Sequence, residues 1–182
     1  MIYFTSDLHF FHQNAIEFGR RPYQSWQEMN EGLIENWNQA VGPEDEIYIL
    51  GDLTMKGPQQ ALEVIGRLNG KKYMIRGNHD HFLNKAAFDE SVFAWIRDYH
   101  RMVCQGQRLV LFHYPIAEWD QKFRGAIHLH GHQHNPPDYN LNNKKNGIRR
   151  YDVGVDANGW RPVSLDEILK FFETDGPEPA CS

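Results

Sequence analysis

Ile47-Tyr48-Ile49-Leu50-Gly51-Asp52 is a run of four apolar, β-favouring side chains closed by a glycine and a carboxylate. Continuous apolarity over so short a span suits a strand covered on both faces, and the glycine marks where it stops. The same grammar recurs along the chain. Ile2–Thr5 is followed by Asp7 and His9, Tyr73–Ile75 by Asn78 and His79, Leu109–Phe112 by His113, and Ile127–Leu129 by His132 and His134. Nearly every expected strand is thus followed at once by a residue type that binds metals, and strand C-termini are where open α/β sheets place their sites.

Between these strands the periodicity changes. Met29, Leu33, Trp37 and Val41 recur every four residues, and Ser25 with Glu28 forms a capping box at their start, which predicts an amphipathic helix. Pro58 suits a first helical turn, Leu62, Ile65 and Leu68 supply an apolar face, and Gly70 is the expected C-terminal cap. The segments Val92–Val103 and Arg108–Phe112 flank Gln105-Gly106-Gln107 and predict a hairpin, so the sheet should be mixed. Residues 135–147, rich in Asn, Pro and Lys, read as a long surface loop, followed by a strand over Ile148–Val155. Ser164 with Glu167 caps a last helix through Leu165, Ile168, Leu169 and Phe172. These features predict an α/β fold in one domain over residues 1–173, with a mobile tail at 174–182.

A length of 182 residues, 41% of them hydrophobic and 24% charged, supports one core and excludes disordered or fibrous classes. A net charge of −5 gives no general footprint for nucleic acid. No run approaches the roughly 20 apolar residues of a membrane span. Cys104 and Cys181 stand alone, and the N-terminus lacks a basic, apolar leader pattern, so a reducing cytoplasm is expected. Ten histidines are about twice what average usage would give.

Asp7, His9, Asp52, Asn78, His113, His132 and His134 divide naturally over two cations with one carboxylate shared between them. A single metal would leave several buried histidines without partners. Two cations partly neutralise an attached phosphate, and a water held between them ionises near neutral pH. Nitrogen and oxygen ligands without thiolate suit Mn²⁺, placed first here, and equally Fe, Zn, Ni or Co.

Taken in order, Asp7-Leu8-His9, Gly51-Asp52, Gly77-Asn78-His79-Asp80, His113 and Gly131-His132-Gln133-His134 resemble the motif set of the calcineurin-like metallophosphoesterases. Asp7–Asn14, Arg21-Pro22, Val153–Asp156 and Trp160–Ser164 extend the resemblance to a small stand-alone bacterial and phage phosphohydrolase branch. The resemblance implies a β-sandwich of two mixed sheets flanked by helices. It implies one metal on Asp7, His9, Asp52 and His134, and another on Asp52, Asn78, His113 and His132. It makes His79 the residue that protonates the leaving alkoxide, with Asp80 expected to orient that imidazole from behind.

The implied substrate is a small phosphate ester: a cyclic nucleotide, a nucleotide or another small phosphodiester. Gly51-Asp52-Leu53-Thr54-Met55-Lys56-Gly57 stands where protein Ser/Thr phosphatases carry Val-Asp-Arg-Gly, and Asp80 stands where they carry Glu. Those departures disfavour a protein phosphatase and favour a phosphodiester modestly over a monoester. Nucleic acid is a less favoured substrate, and a non-catalytic metal-binding scaffold is the contrasting class. His12, Asn14 and Arg21, close behind the first motif, are candidate phosphate contacts. His128 and His130 share one strand face and are expected to be structural, Phe10 and Phe11 to pack, and Lys144, Lys145, Arg149 and Arg150 to form a solvated basic loop.

Overall fold

The computed structural model describes residues 1–173; the expected tail and Cys181 lie outside them. Two mixed sheets face each other. In the first, β1 (Ile2–Thr5), β2 (Glu46–Leu50), β3 (Lys71–Ile75) and β4 (Ile96–Arg97) run parallel, and β9 (Val163–Ser164) closes the other edge antiparallel to β1. In the second, β5 (Tyr99–Cys104) pairs antiparallel with β6 (Gln107–Phe112), and β7 (Ile127–His130) and β8 (Arg150–Asp152) continue parallel to it. Alternation along each strand assigns its two faces. Phe4, Tyr48, Leu50, Tyr73 and Ile75 meet Leu109, Leu111, Ile127, Leu129 and Tyr151 between the sheets. Tyr3, Ile47, Ile49 and Met74 point the other way, onto the helices.

Those helices are α2 (Trp26–Ala40) and α3 (Pro58–Ile65), preceded by the short α1 (Asn14–Phe18). α2 buries Met29, Leu33 and Trp37, as its four-residue spacing predicts, and Ser25 Oγ accepts the Glu28 N–H at 3.2 Å. The Glu28 carboxylate reaches back to the N–H of Gln24 rather than to Ser25. The capping box of α5 (Leu165–Glu173) closes fully: Ser164 N–H donates to Glu167 and Glu167 N–H donates to Ser164 Oγ. No helix among the described residues is long and apolar enough to cross a membrane.

Three expectations need correction. α3 ends at Gly66, not Gly70; Gly70, at φ +87°, makes the turn into β3, where a Cβ would press on Val41 and the Asp45 carbonyl. Val92–Val103 is not one strand, because the chain changes sheets at Asp98, between β4 and β5. The supposed loop at 135–147 contains α4 (Tyr139–Lys145), and the following strand shrinks to β8. α4 escapes hydrophobic periodicity because amides dock it: Asn140 exchanges hydrogen bonds with the Asp152 backbone at 2.7 and 3.0 Å, and Asn143 donates to the Arg150 carbonyl.

Candidate metal centre

The loops that follow β1 and β2 are laced together. Asp7, His9 and Phe10 donate their N–H groups to the carbonyls of Gly51, Asp52 and Leu53 at 2.9–3.0 Å. Asp7, His9, Asp52, His132 and His134 all have left-handed backbone, with φ between 50° and 74°. Non-glycine residues avoid that region unless surrounding structure holds them there, and such residues cluster at functional sites. Close approach is secured by glycines: a Cβ on Gly77 would collide with Asp52, and one on Gly131 with Ser6 and Asp7.

The side chains converge in two groups that could hold a metal ion, Asp7, His9 and His134 in one and Asp52, His113 and His132 in the other. Within each, the ligand atoms lie within 4.8 Å of one another. Asp52 stands between them. Its Oδ1 accepts the His79 N–H at 2.9 Å, while Oδ2 lies 3.6 Å from both His9 Nε2 and His113 Nε2, one from each group. Asn78 joins the second group, with Oδ1 2.9 Å from His113 Nε2. His9 Nε2 faces His134 Nε2 at 3.2 Å. Burial pulls His9 down to about 2, so its imidazole is neutral and its nitrogen lone pair available. Burial also pushes Asp7 up to about 8, and a cation beside it reverses that penalty. Converging imidazoles and a carboxylate form a donor set that fits a divalent cation in each group.

The surrounding protein fixes these ligands. His113 Nδ1 bonds the Leu50 carbonyl at 2.7 Å, which leaves Nε2 facing the centre. His134 Nδ1 lies 2.7 Å from Asp156 Oδ2, and Asp7 accepts from Ser6 Oγ and the His132 N–H. A cavity of about 460 Å³ opens over the centre, lined by His9, His12, Phe18, Asp52, Met55, His79, His132, Gln133 and His134.

Among the other candidates, His79 and His12 reach this cavity, but Asn14 and Arg21 do not line it. Asn14 is exposed at the start of α1. Arg21 is buried and fully engaged, so it has no hand free for a phosphate: its guanidinium donates to both Asp156 oxygens and to the carbonyls of Asp7 and Leu8. Asp80 makes no hydrogen bond to the His79 imidazole among the described residues. Its carboxylate accepts the N–H groups of Asp52, Leu53 and Gly77 at 2.8–2.9 Å, and so clamps one metal-ligand loop to the other. Burial, and then the neighbouring Asp52, raise Asp80 to about 7.

His128 and His130 are buried side by side and bonded to Val110, Tyr114, Gly131 and Tyr139, a structural pair. Phe10 is fully buried, and Phe11 packs partly against the same core. The cavity lining includes none of Lys144, Lys145, Arg149 and Arg150; Arg149 and Arg150 donate to the carbonyls of Gly125 and Ile116. Two contributors escaped the sequence reading. Asp156 carries the same signal as the ligands, a carboxylate just past an apolar run. Phe18, 48% exposed with its ring 4.6 Å from that of His134, carries none.

Comparison with known proteins identifies the family. An uncharacterized protein of Methanocaldococcus jannaschii is 36% identical over 176 residues, covering 94% of this chain and 91% of that protein. The gene 66 protein of Mycobacterium phage L5 is 31% identical, covering 91% of each. A crystal structure of a protein of unknown function from Aquifex aeolicus superposes with a TM-score of 0.73 at 26% identity, covering 93% of this chain and 98% of that one. Residues 1–160 match the calcineurin-like phosphoesterase family, and the chain belongs to that family.

Proposed function

We propose that this protein hydrolyses small phosphodiesters at the centre built on Asp52. The observation that carries the reading is the position of Asp52 Oδ2, 3.6 Å from His9 in one ligand group and from His113 in the other. Two divalent cations, Mn²⁺ first among them, would supply positive charge to the phosphate oxygens and acidify the attacking water. Asp7, His9, Asp52 and His134 would hold one, and Asp52, Asn78, His113 and His132 the other. His79, on the cavity wall and tethered through its N–H to Asp52, is placed to donate a proton to the departing oxygen. Water's oxygen bonds to phosphorus, the bond from phosphorus to the alcohol oxygen breaks, and the products are a phosphomonoester and an alcohol.

The preference for a diester has physical support. No Lys or Arg is among the described residues lining this cavity. A monoester dianion would therefore find no countercharge beyond the cations, whereas a diester carries a single charge and needs less. A cytoplasmic setting and a small-molecule partner complete the reading.

The test is hydrolysis of bis-p-nitrophenyl phosphate against p-nitrophenyl phosphate across Mn²⁺, Zn²⁺, Ni²⁺ and Co²⁺. The diester should be cleaved with the higher kcat/KM in at least one metal. A higher kcat/KM for the monoester in every metal would reverse the preference, and no turnover of either would leave the scaffold reading.

A further inference from the structure

A second cavity of about 490 Å³ adjoins the first and shares two of its walls, Phe18 and His134. Its remaining lining is Gly19, Arg20, Asn135, Pro136, Pro137, Asp156 and Trp160. Three features set it apart from an ordinary surface dent. It borders the metal centre at Phe18 and the His134 imidazole, so a molecule whose phosphate sits on the centre has this hollow beside it. It is walled by flat apolar rings, Phe18, Trp160 and two prolines. Arg20 and Trp160, like His134, are non-glycine residues held in left-handed backbone, at φ 50° and 65°.

The chain builds these walls deliberately. At Gly19 a Cβ would press on Asp156 Oδ1 at 2.5 Å, so only glycine lets the chain pass there and carry Phe18 and Arg20 to the rim. Trp160 is backed by the buried Arg21 guanidinium, 5.9 Å from its ring centroid, and its carbonyl is held by Asn36. The exposed Arg20 guanidinium makes no hydrogen bond or ion pair among the described residues, and it is the only Lys or Arg among those lining either cavity.

The geometry points to a subsite in which the planar organic half of a phosphodiester, a nucleoside in chemical class, packs against Phe18 and Trp160, with the Arg20 side chain lining the same hollow. This rests on the phosphodiesterase reading above and narrows its substrate. Aromatic rings favour a planar heterocycle over an aliphatic alcohol because every base offers a π-face for stacking.

Two diesters with the same leaving group separate subsite from chemistry: thymidine 5′-(p-nitrophenyl phosphate) and methyl p-nitrophenyl phosphate, assayed with Mn²⁺ on the full chain. The nucleoside ester should show a kcat/KM higher by about 10-fold or more, mainly through KM. Phe18→Ala, Arg20→Ala and Trp160→Leu should each reduce that ratio several-fold; the first two alter exposed side chains, so the test survives if Trp160→Leu fails to fold. Calorimetric titration with thymidine 5′-monophosphate against methyl phosphate gives a readout independent of turnover, and the nucleotide should bind more tightly in the wild type than in the variants. Should neither ester be cleaved while that binding difference holds, the phosphodiesterase reading falls and the subsite stands. Equal kcat/KM for the two esters, equal binding of the two phosphates, or variants that lower both esters alike would overturn the subsite.

Discussion

Replacing Asp156 with Ala tests whether half of the metal centre is organised from behind by one buried ion pair. The Arg21 and Asp156 side chains are 0% and 4% exposed and meet through two hydrogen bonds of 2.9 and 3.0 Å. Arg21 also grips the carbonyls of Asp7 and Leu8, and Asp156 grips His134 Nδ1. All three members of one ligand group, Asp7, His9 and His134, are therefore tied to this pair. Burial opposes ionisation of Asp156, yet the hydrogen bond from His134 and the Arg21 charge hold its carboxyl below the usual range. Removing Asp156 leaves the Arg21 charge buried and unpaired, a loss of about 3–5 kcal/mol by comparison with broken buried pairs. It also frees the His134 ring, and losing such a partner typically weakens metal binding by roughly 10–100-fold. Urea unfolding in chelator should show the first effect. Titration calorimetry with Mn²⁺ should show the second, as one of two equivalents weakened by that factor while the other, on Asp52, His113 and His132, changes little. Equal weakening of both equivalents, or none in a folded variant, would refute the organising role.

Asp52→Asn should abolish turnover and weaken both equivalents, because its Oδ2 faces both groups; two tightly bound metals with full activity would sink the shared-ligand assignment. His79→Ala should keep both metals and lose about 10²–10⁴-fold in rate, most for esters of poorly acidic alcohols, so a loss uniform across leaving groups would remove its acid role. Burial holds His128 down to about 4, below its ordinary 6.5, so the native state resists a proton that the unfolded chain accepts. Its contribution is complete above pH 6.5 and is lost as pH falls toward 4, by up to about 3 kcal/mol. Unfolding curves across that window should flatten in His128→Asn, and an unchanged slope would remove His128 from the account.

The apolar runs made the strands legible because each is buried on both faces, and residues such as Ile49 and Leu50 point to opposite cores with no polar side to disguise them. The ligand types were legible for a related reason: Asp52 and His113 occupy strand ends, where chemistry leaves few substitutes. What could not be read depends on contacts between distant segments. α4 is docked by the amides of Asn140 and Asn143, which leave no hydrophobic period. Arg21 follows the first motif as a phosphate contact would, and nothing local shows that Asp156, 135 residues on, neutralises it. Asp80 follows His79 directly, yet its carboxylate turns to the backbone of Asp52 and Leu53 across the site.

The one-residue gap within Asp7-Leu8-His9 and His132-Gln133-His134 has a backbone explanation. Both ligands of each motif are left-handed, at φ 58° and 51° in the first and 74° and 50° in the second. In the first motif the series extends to Phe11 at 64°, while the alternate residues Leu8 and Phe10 are buried in the core beneath. The chain therefore zigzags, and Asp7 and His9 are thrown to the same side, where their donors meet. Left-handed backbone costs an L-residue roughly 1–2 kcal/mol, and no ligand side chain here is relieved by being glycine. Hydrogen bonds from Asp7, His9 and Phe10 to the Gly51–Leu53 carbonyls, with the Asp80 clamp behind them, are what hold the zigzag against that cost. A histidine at position 8 or 10 would face the core instead. The spacing of these side chains thus records a strained backbone, and the residues that maintain it are as much a part of the candidate metal centre as the side chains that would hold a cation.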